Sequence, residues 1–306
     1  MSKPLRIGSM IETDKPLADI VAVLERYREA GLDHAFASQI FGPDALTLLA
    51  VAGSQVPGIG LGTGVVPVYP RHPMMLAQQA LTVQMATDNR LLLGIGLSHQ
   101  VVVESMWGMS FERPAAYMRE YLAALMPLLH GEAVHCDGER VTTHAFTPLD
   151  IANVEAPPVL VAALASTMLK LAGRVADGTV TWMTGTATIG GHIVPTITAA
   201  AEAAGRPAPR VVVSLPIAVT NDLDGAKERI NEVFSIYPNL PSYKAMLDKE
   251  GAEAAADIAF VGDEGAVAAS ISKLADVGAT DFVAAIVGDS AERARGLALL
   301  GQVARA

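Results

Sequence analysis

The sequence predicts a single (β/α)8 barrel, and three observations lead to this prediction. Short runs rich in β-branched residues alternate with longer helical stretches from one end of the chain to the other. Eight strand–helix units can be counted. Nearly all the strands are apolar on both faces, as in a parallel sheet covered on both sides. An open doubly wound sheet is the alternative, but eight well-spaced units fit a closed barrel better.

Each predicted strand is a short apolar run, and several helices carry recognisable end signals. Asp44 is a suitable N-cap, Pro73 suits a first helical turn, and Gly131 suits a C-cap. The predicted strands are 5–12, 34–39, 59–68, 90–98, 157–164, 178–184, 210–220 and 281–288. The predicted helices are 16–31, 44–55, 72–88, 113–131, 166–177, about 186–205, 224–274 with breaks at Pro238 and Pro241, and 290–304.

The regular alternation is interrupted after the fourth strand. Beyond the helix at 113–131, residues 132–146 alternate around Asp137-Gly138, which is a strong β-hairpin signal. We interpret residues 99–150, approximately, as an insertion of a helix plus a hairpin over the barrel mouth. No linker rich in glycine or serine divides the chain, so residues 1–306 are expected to form one domain.

The charge and the apolar runs of the sequence limit the classes of partner that this protein is expected to bind. The 306 residues carry a formal net charge of −10 without any long basic run, so nucleic acid is not an expected partner. The first residues lack the apolar core of a signal peptide, and no apolar run approaches membrane-spanning length. We therefore expect a cytoplasmic protein without membrane contact.

The histidines near the hairpin match no standard zinc spacing, so no metal site is predicted. They are His130, His135 and His144.

The stretch LLLGIGLSH (91–99) resembles a dinucleotide-binding turn, but His99 stands where the third glycine is required. In a barrel, the same stretch is a strand whose end reaches the mouth, where barrel enzymes carry their chemistry. Its two glycines then let the strand pass a bulky group, or relieve crowding in a barrel layer. Other strand ends place Glu12, Gln39 and Ser98 at the same rim.

Four longer stretches resemble the bacterial luciferase-like superfamily, and within it the deazaflavin-dependent oxidoreductases. Together they fall within a match that extends over about residues 5–290. The stretches are GTGVVPVYPRHPMMLAQQALTVQMATDNRLLLGIGLSH (62–99), SQIFGPDALTLLA (38–50), MWGMSFERPAAYMREYLAAL (106–125) and VLVAALASTMLKLAGRVADGTVTWMTG (159–185).

The resemblance implies a cofactor site at the barrel mouth. Similar proteins have a non-prolyl cis peptide at the end of the third strand, which here corresponds to Gly64–Val65, and Val65 would support one face of a deazaflavin ring. Hydride would pass between C5 of coenzyme F420 and a small organic substrate. The remaining cofactor contacts implied are Gln39 and Ser98 at the ring or ribityl chain, and Ala163, Leu164, Thr184 and Gly185 at the phosphate.

Two positions depart from the sugar-phosphate dehydrogenases of the superfamily. Gln39-Ile40 replaces their histidine after the second strand, and His99 stands near the position of their glutamate, so a sugar phosphate is not the expected substrate. His99 is the first candidate for a catalytic proton donor because an ordinary imidazole pKa is near 6.5. Orientation of the cofactor by neutral His99 is the alternative. Glu12 is the second candidate, with a solvated carboxylate as its alternative.

Three functions follow from these observations. The first is an F420-dependent oxidoreductase acting on a small, apolar organic substrate. The second is an FMN-dependent monooxygenase on the same barrel, and the third is a barrel that binds a cofactor or partner without catalysis. The apolar helix face of residues 113–129 would suit a homodimer.

Overall fold

The computed structural model describes residues 5–306 and contains a closed ring of eight parallel strands, as the sequence predicts. The first strand pairs with the second and with the last, and the seventh pairs with both the sixth and the last, which closes the barrel. In chain order the strands are β1 (Arg6–Met10), β2 (His34–Ala37), β3 (Gly60–Thr63), β4 (Val66–Pro67), β5 (Leu91–Gly96), β6 (Val134–Asp137), β7 (Thr142–Ala145), β8 (Val159–Ala162), β9 (Gly178–Trp182), β10 (Arg210–Val219), β11 (Phe260–Gly262) and β12 (Asp281–Ile286).

Helices surround this ring. The N-cap prediction for Asp44 is confirmed, because its carboxylate accepts a 2.8 Å hydrogen bond from Thr47 N. In chain order the α-helices are α1 (Leu17–Ala30), α2 (Ala45–Gly53), α3 (Pro73–Ala86), α4 (Pro114–Leu129), α5 (Ser166–Val175), α6 (Thr186–Thr188), α7 (Val194–Ala203), α8 (Leu223–Val233), α9 (Pro241–Glu250), α10 (Ala255–Ile258), α11 (Glu264–Asp276) and α12 (Ser290–Ala304). Single π-helical turns cover Val102–Met106 and Ile189–Ile193, and a 3-10 turn covers Tyr237–Asn239.

The segment after the fourth barrel strand differs from the predicted insertion. α4 contacts both α3 and α5, so it occupies the position of the fourth helix in the outer ring. The β6–β7 hairpin packs against α4 and α3. The hairpin predicted within residues 132–146 is confirmed, but its turn lies at Glu139-Arg140, two residues after Asp137-Gly138, because Gly138 N donates to Val141 O.

Two further expectations require correction. The helical stretch predicted for 224–274 contains the short strand β11, which pairs with the last residues of β10 beyond the point where β9 ends. The apolar face of α4 is buried inside the chain rather than available for a second copy. The predicted homodimer therefore loses the surface on which it was based, and it stays a prediction.

One small cluster of buried side chains fills the barrel interior. Its six buried members each come from a different barrel strand, and Met10, Val65 and Ala162 pack on it while remaining partly exposed. These three residues thus form the end of the barrel core that opens toward the mouth. The buried members are Phe36, Leu92, Leu160, Val180, Val212 and Val283.

The third barrel strand carries one residue more than its neighbour. Gly62 pairs with Leu92 and Val66 pairs with Ile95, so three residues stand opposite two, which is a β-bulge. The Thr63 hydroxyl donates to Gly94 O at 2.7 Å and accepts from Gly94 N at 2.8 Å. It thereby satisfies both backbone groups that the bulge leaves without strand partners.

The glycines of β5 make room for this bulge. A Cβ at Gly94 would collide with the carbonyl oxygen of Thr63, and one at Gly96 would lie 2.7 Å from Val65 Cγ2. Side chains at these positions are therefore excluded by the neighbouring strand. Of the two interpretations of the LLLGIGLSH glycines, the structure supports relief of crowding within the barrel.

Among residues 5–306, the structure contains no helix that is both long enough and apolar enough to span a bilayer.

Substituting Thr63 by valine should destabilise the barrel by roughly 2–4 kcal/mol, because it leaves a buried N–H and a buried C=O without partners. Urea unfolding followed by circular dichroism measures the change. Thr181→Val is the matched control, since Thr181 is equally buried but its hydroxyl makes only a 3.5 Å bond to Val212 O. Equal losses for the two variants would show that the hydrogen bonds of Thr63 do not support the bulge.

Candidate active site at the barrel mouth

The carboxyl ends of the eight parallel strands form a single rim, and the predicted site residues follow those ends. Two non-glycine residues at this rim adopt left-handed backbone conformations, Ser98 with φ 62° after β5 and Met183 with φ 50° after β9. Such conformations are uncommon for these residue types and concentrate at functional sites. These two conformations therefore favour a functional site at this rim.

Val65 lies where the resemblance places the support for a flat ring. The Gly64–Val65 peptide bond is cis, which confirms that prediction. The Val65 side chain is half-buried, packs with the barrel-interior cluster, and occupies the position that a side chain at residue 96 would need. It thus presents an apolar surface at the mouth of the barrel.

His99 is half-buried at the end of the fourth barrel strand. Its ring centroid lies 5.8 Å from that of Tyr243, at an interplanar angle of 55°. Burial lowers the pKa of the His99 imidazole below its ordinary value of 6.5. Because the charged form is disfavoured, His99 is neutral at pH 7 and can accept a proton.

An aromatic cluster extends from His99 to the end of β9, two strands away around the barrel. Trp182, at the end of β9, makes edge contacts with Phe234 at 5.3 Å and with Tyr237 at 5.8 Å between ring centroids. Tyr237 in turn contacts Tyr243 at 4.9 Å. Residues 234–250, here called the mouth-covering segment, therefore connect the ends of the fourth and sixth barrel strands.

Glu250 ends this segment and binds the start of the helical run after β9. Its carboxylate accepts hydrogen bonds from Ala187 N at 3.0 Å and from Thr188 N at 2.7 Å. The carboxylate also lies against Gly185, where a Cβ would collide with it. Within the described part of the chain, the buried Thr188 hydroxyl has no hydrogen-bond partner. These donors therefore hold an anionic group, and in this structure the group is the Glu250 side chain.

Several predicted cofactor contacts already have polar partners within the chain. The Gln39 side-chain carbonyl accepts from Ala45 N at 3.1 Å and from Arg71 Nη2 at 3.2 Å. Only its amide nitrogen is left for a cofactor.

The predicted phosphate contacts are engaged in a similar way. The Leu164 carbonyl accepts from His192 Nε2 at 2.8 Å, and the neighbouring Ala163 is buried. The fully buried Thr184 hydroxyl donates to Trp182 O at 3.2 Å. Of the predicted phosphate residues, Gly185 lies against the Glu250 carboxylate, which occupies the backbone N–H donors of Ala187 and Thr188.

Glu12 interacts with a residue of the last helix, α12. Its carboxylate forms an ion pair with Arg293 of α12, and its side chain is 47% exposed. The Glu12 carboxylate is therefore both solvated and already engaged by an arginine. This environment corresponds to the solvated alternative considered for Glu12.

Sequence reasoning missed Tyr243 and Glu250, which both lie in the stretch predicted as an interrupted helix. No local motif marks a glutamate that caps a helix 62 residues away. Three aromatic residues within ten positions, Phe234, Tyr237 and Tyr243, were the available signal, because aromatics are unusual on the exposed face of an outer helix.

Exposed apolar side chains lie on the loops around the mouth. Ile40 and Phe41 follow β2 and are 65% and 68% exposed, while Val101 and Met106 follow β5 and are 60% and 59% exposed. These four side chains give the loops after the second and fourth barrel strands an exposed apolar surface.

The chain belongs to the luciferase-like monooxygenase family, whose model matches residues 1–301. A Mycobacterium tuberculosis protein that carries the name coenzyme F420-dependent oxidoreductase is 39% identical over 105 residues, covering 34% of this chain and 29% of that protein. The 5,10-methylenetetrahydromethanopterin reductase of Methanolobus tindarius is 29% identical over 168 residues, covering 53% of this chain and 49% of the reductase.

The fold is also that of a solved relative. The coenzyme F420-dependent tetrahydromethanopterin reductase of Methanopyrus kandleri superposes with a TM-score of 0.82 at 21% identity, covering 98% of each chain. The chain thus aligns with half or less of the length of the two relatives named above, but shares the fold of the solved reductase throughout.

The environment of His99 can be tested by NMR. We expect the His99 imidazole to titrate with a pKa below 6.5, and Tyr243→Ala to raise that pKa toward the ordinary value by admitting water. Histidine ring resonances followed over pH 4–8 measure both values. Leu240→Ala, within the same segment, is the control for a general loss of packing in residues 234–250. A His99 pKa that is unchanged in Tyr243→Ala would contradict the role given to Tyr243.

Proposed function

We propose that this protein is a coenzyme F420-dependent oxidoreductase that transfers a hydride between the coenzyme and a small, apolar organic substrate. The observation that carries the proposal is the anion-holding group of donors at Gly185–Thr188, on the same rim as the half-buried Val65. A phosphate-bearing flat coenzyme requires this combination of an anion site and an apolar surface. The F420-dependent relatives support F420 as the coenzyme.

The residues at the mouth fit such a coenzyme. Val65, with its partly exposed neighbours Met10 and Ala162, offers an apolar surface for a planar ring, and the amide nitrogen of Gln39 is available to a polar ring edge. The N–H groups of Ala187 and Thr188, with the unpartnered Thr188 hydroxyl, suit a phosphate. Phosphate binding requires Glu250 to withdraw, because its carboxylate occupies the same donors.

The bound deazaflavin supplies hydride chemistry at C5. The chain's own residues position the substrate and move the accompanying proton. Neutral His99 accepts the proton released when hydride leaves the substrate, and the protonated ring returns it in the reverse direction. The exposed apolar side chains of Ile40, Phe41, Val101 and Met106 give the substrate an apolar binding surface.

The direct test compares coenzymes under identical conditions. We expect F420 to bind, with a change in its fluorescence, more tightly than FMN. Reduced F420 carrying deuterium at C5 should transfer that label to a small carbonyl or alkene substrate. Preferential binding of reduced FMN with oxygen consumption would instead establish the monooxygenase alternative. Binding of F420 without turnover of any substrate in a broad panel would establish the non-catalytic alternative.

Variants of the two proton-transfer candidates separate their roles. His99→Gln should retain coenzyme binding but lower turnover by about 100-fold or more, since general acid–base catalysis contributes on that order. Glu12→Gln should change turnover little, because Glu12 is exposed and paired with Arg293. The reverse ranking in steady-state assays would move the catalytic assignment to Glu12.

Removing the Glu250 carboxylate tests the phosphate site. Glu250→Ala should strengthen F420 binding by about tenfold, because the phosphate no longer competes for two backbone N–H groups. Binding of the dephosphorylated deazaflavin should remain unchanged. Glu253→Ala is the matched control, because Glu253 is an exposed neighbour outside these donors. Equal effects on the phosphorylated and dephosphorylated ligands, measured by fluorescence titration, would place the phosphate elsewhere.

A further inference from the structure

The β6–β7 hairpin brings together three metal-ligating side chains that lie outside the barrel mouth. His135 and His144 are directly opposite each other in the strand register, and Asp137 is two residues beyond His135. All three side chains point away from the buried face of the hairpin, which carries Val134 and Ala145.

The strand register explains why the two imidazoles are so close. Gly138 N donates to Val141 O, and hydrogen-bonded and non-hydrogen-bonded pairs alternate from there along the hairpin. The His135–His144 pair consequently falls at a non-hydrogen-bonded position, where cross-strand side chains approach most closely. Their rings stack with centroids 4.1 Å apart and planes only 4° from parallel.

Each of the two imidazoles directs its Nε2 atom toward the carboxylate of Asp137. His135 Nε2 lies 3.0 Å from Asp137 Oδ2, and His144 Nε2 lies 2.7 Å from Asp137 Oδ1. One ligand atom from each of the three residues lies within 4.8 Å of the others. Ligands bound to one tetrahedral ion at about 2.0–2.1 Å lie about 3.4 Å apart, so small side-chain rotations would complete the site.

We propose that His135, His144 and Asp137 form a binding site for one late first-row divalent cation of the Zn²⁺ class. Two imidazoles and one carboxylate are a ligand set that such ions prefer, whereas Mg²⁺ and Ca²⁺ favour oxygen ligands alone. Three protein ligands leave a fourth position for water. The bound ion would tie the two strands of the hairpin together next to α3 and α4.

The spacing of the three ligands along the sequence does not indicate this site. The ligands occupy positions 135, 137 and 144, which match no standard zinc pattern, and the prediction of no metal site rested on that mismatch. Only the antiparallel register places position 144 opposite 135.

Zinc titration of the complete protein tests the proposal. By competition with a chromophoric chelator, we expect one Zn²⁺ per chain. His135→Ala, His144→Ala and Asp137→Asn should each weaken binding about tenfold or more, since even loss of groups supporting the ligands costs at least that much. His130→Ala is the matched control, an exposed histidine five positions before His135 and outside the cluster, and it should bind zinc like the natural chain.

A second set of measurements distinguishes loss of the metal ligands from unfolding of the variants. Cu²⁺ bound to the natural chain should show electron paramagnetic resonance couplings to two imidazole nitrogens, and to one in His144→Ala. Zn²⁺ should also raise the melting temperature of the natural chain and of His130→Ala, but not of His144→Ala. Absence of zinc binding to the natural chain, or binding that His144→Ala and His135→Ala leave unchanged, would show that the three residues form an ion-pair cluster only.

Discussion

The extra residue in the third barrel strand is the constraint on which the mouth of this barrel depends. Three residues can stand opposite two because the Thr63 hydroxyl satisfies both backbone groups of Gly94. The same bulge requires glycine at positions 94 and 96, where any side chain would collide with the neighbouring strand. The result is that Val65 reaches the open end of the barrel core, which is where the proposed function places the flat coenzyme.

The Glu250 carboxylate and the burial of His99 determine the electrostatics of the rest of the mouth. Burial of His99 beneath the mouth-covering segment favours the neutral imidazole, and the Glu250 carboxylate neutralises the N–H groups at the start of the helical run after β9. Tyr243 and Glu250 belong to one helix, α9. A movement of α9 that withdraws the Glu250 carboxylate would therefore also move Tyr243 away from His99. Under the proposed function, this movement would couple coenzyme entry to access to His99.

Local sequence patterns were sufficient for the order of strands and helices. Apolar runs covered on both faces, the cap at Asp44 and the proline at the start of α3 depend only on near neighbours in the chain. The short strand β11 was missed because three residues carry too little pattern, and pairing with β10 determines its conformation. α4 was misassigned to an insertion because its position between α3 and α5 is a tertiary contact.

By itself, the sequence determined the barrel and the positions of Val65 and His99 at its carboxyl-terminal rim. Only the tertiary structure decided what those positions contact. Glu250 reaches Thr188 across 62 residues, Thr63 reaches Gly94 across 31, and His144 meets His135 across a hairpin. The physical reason is that hydrogen bonding and burial act through space. Periodicity along the chain therefore reports which face of an element is covered, but not which partner covers it.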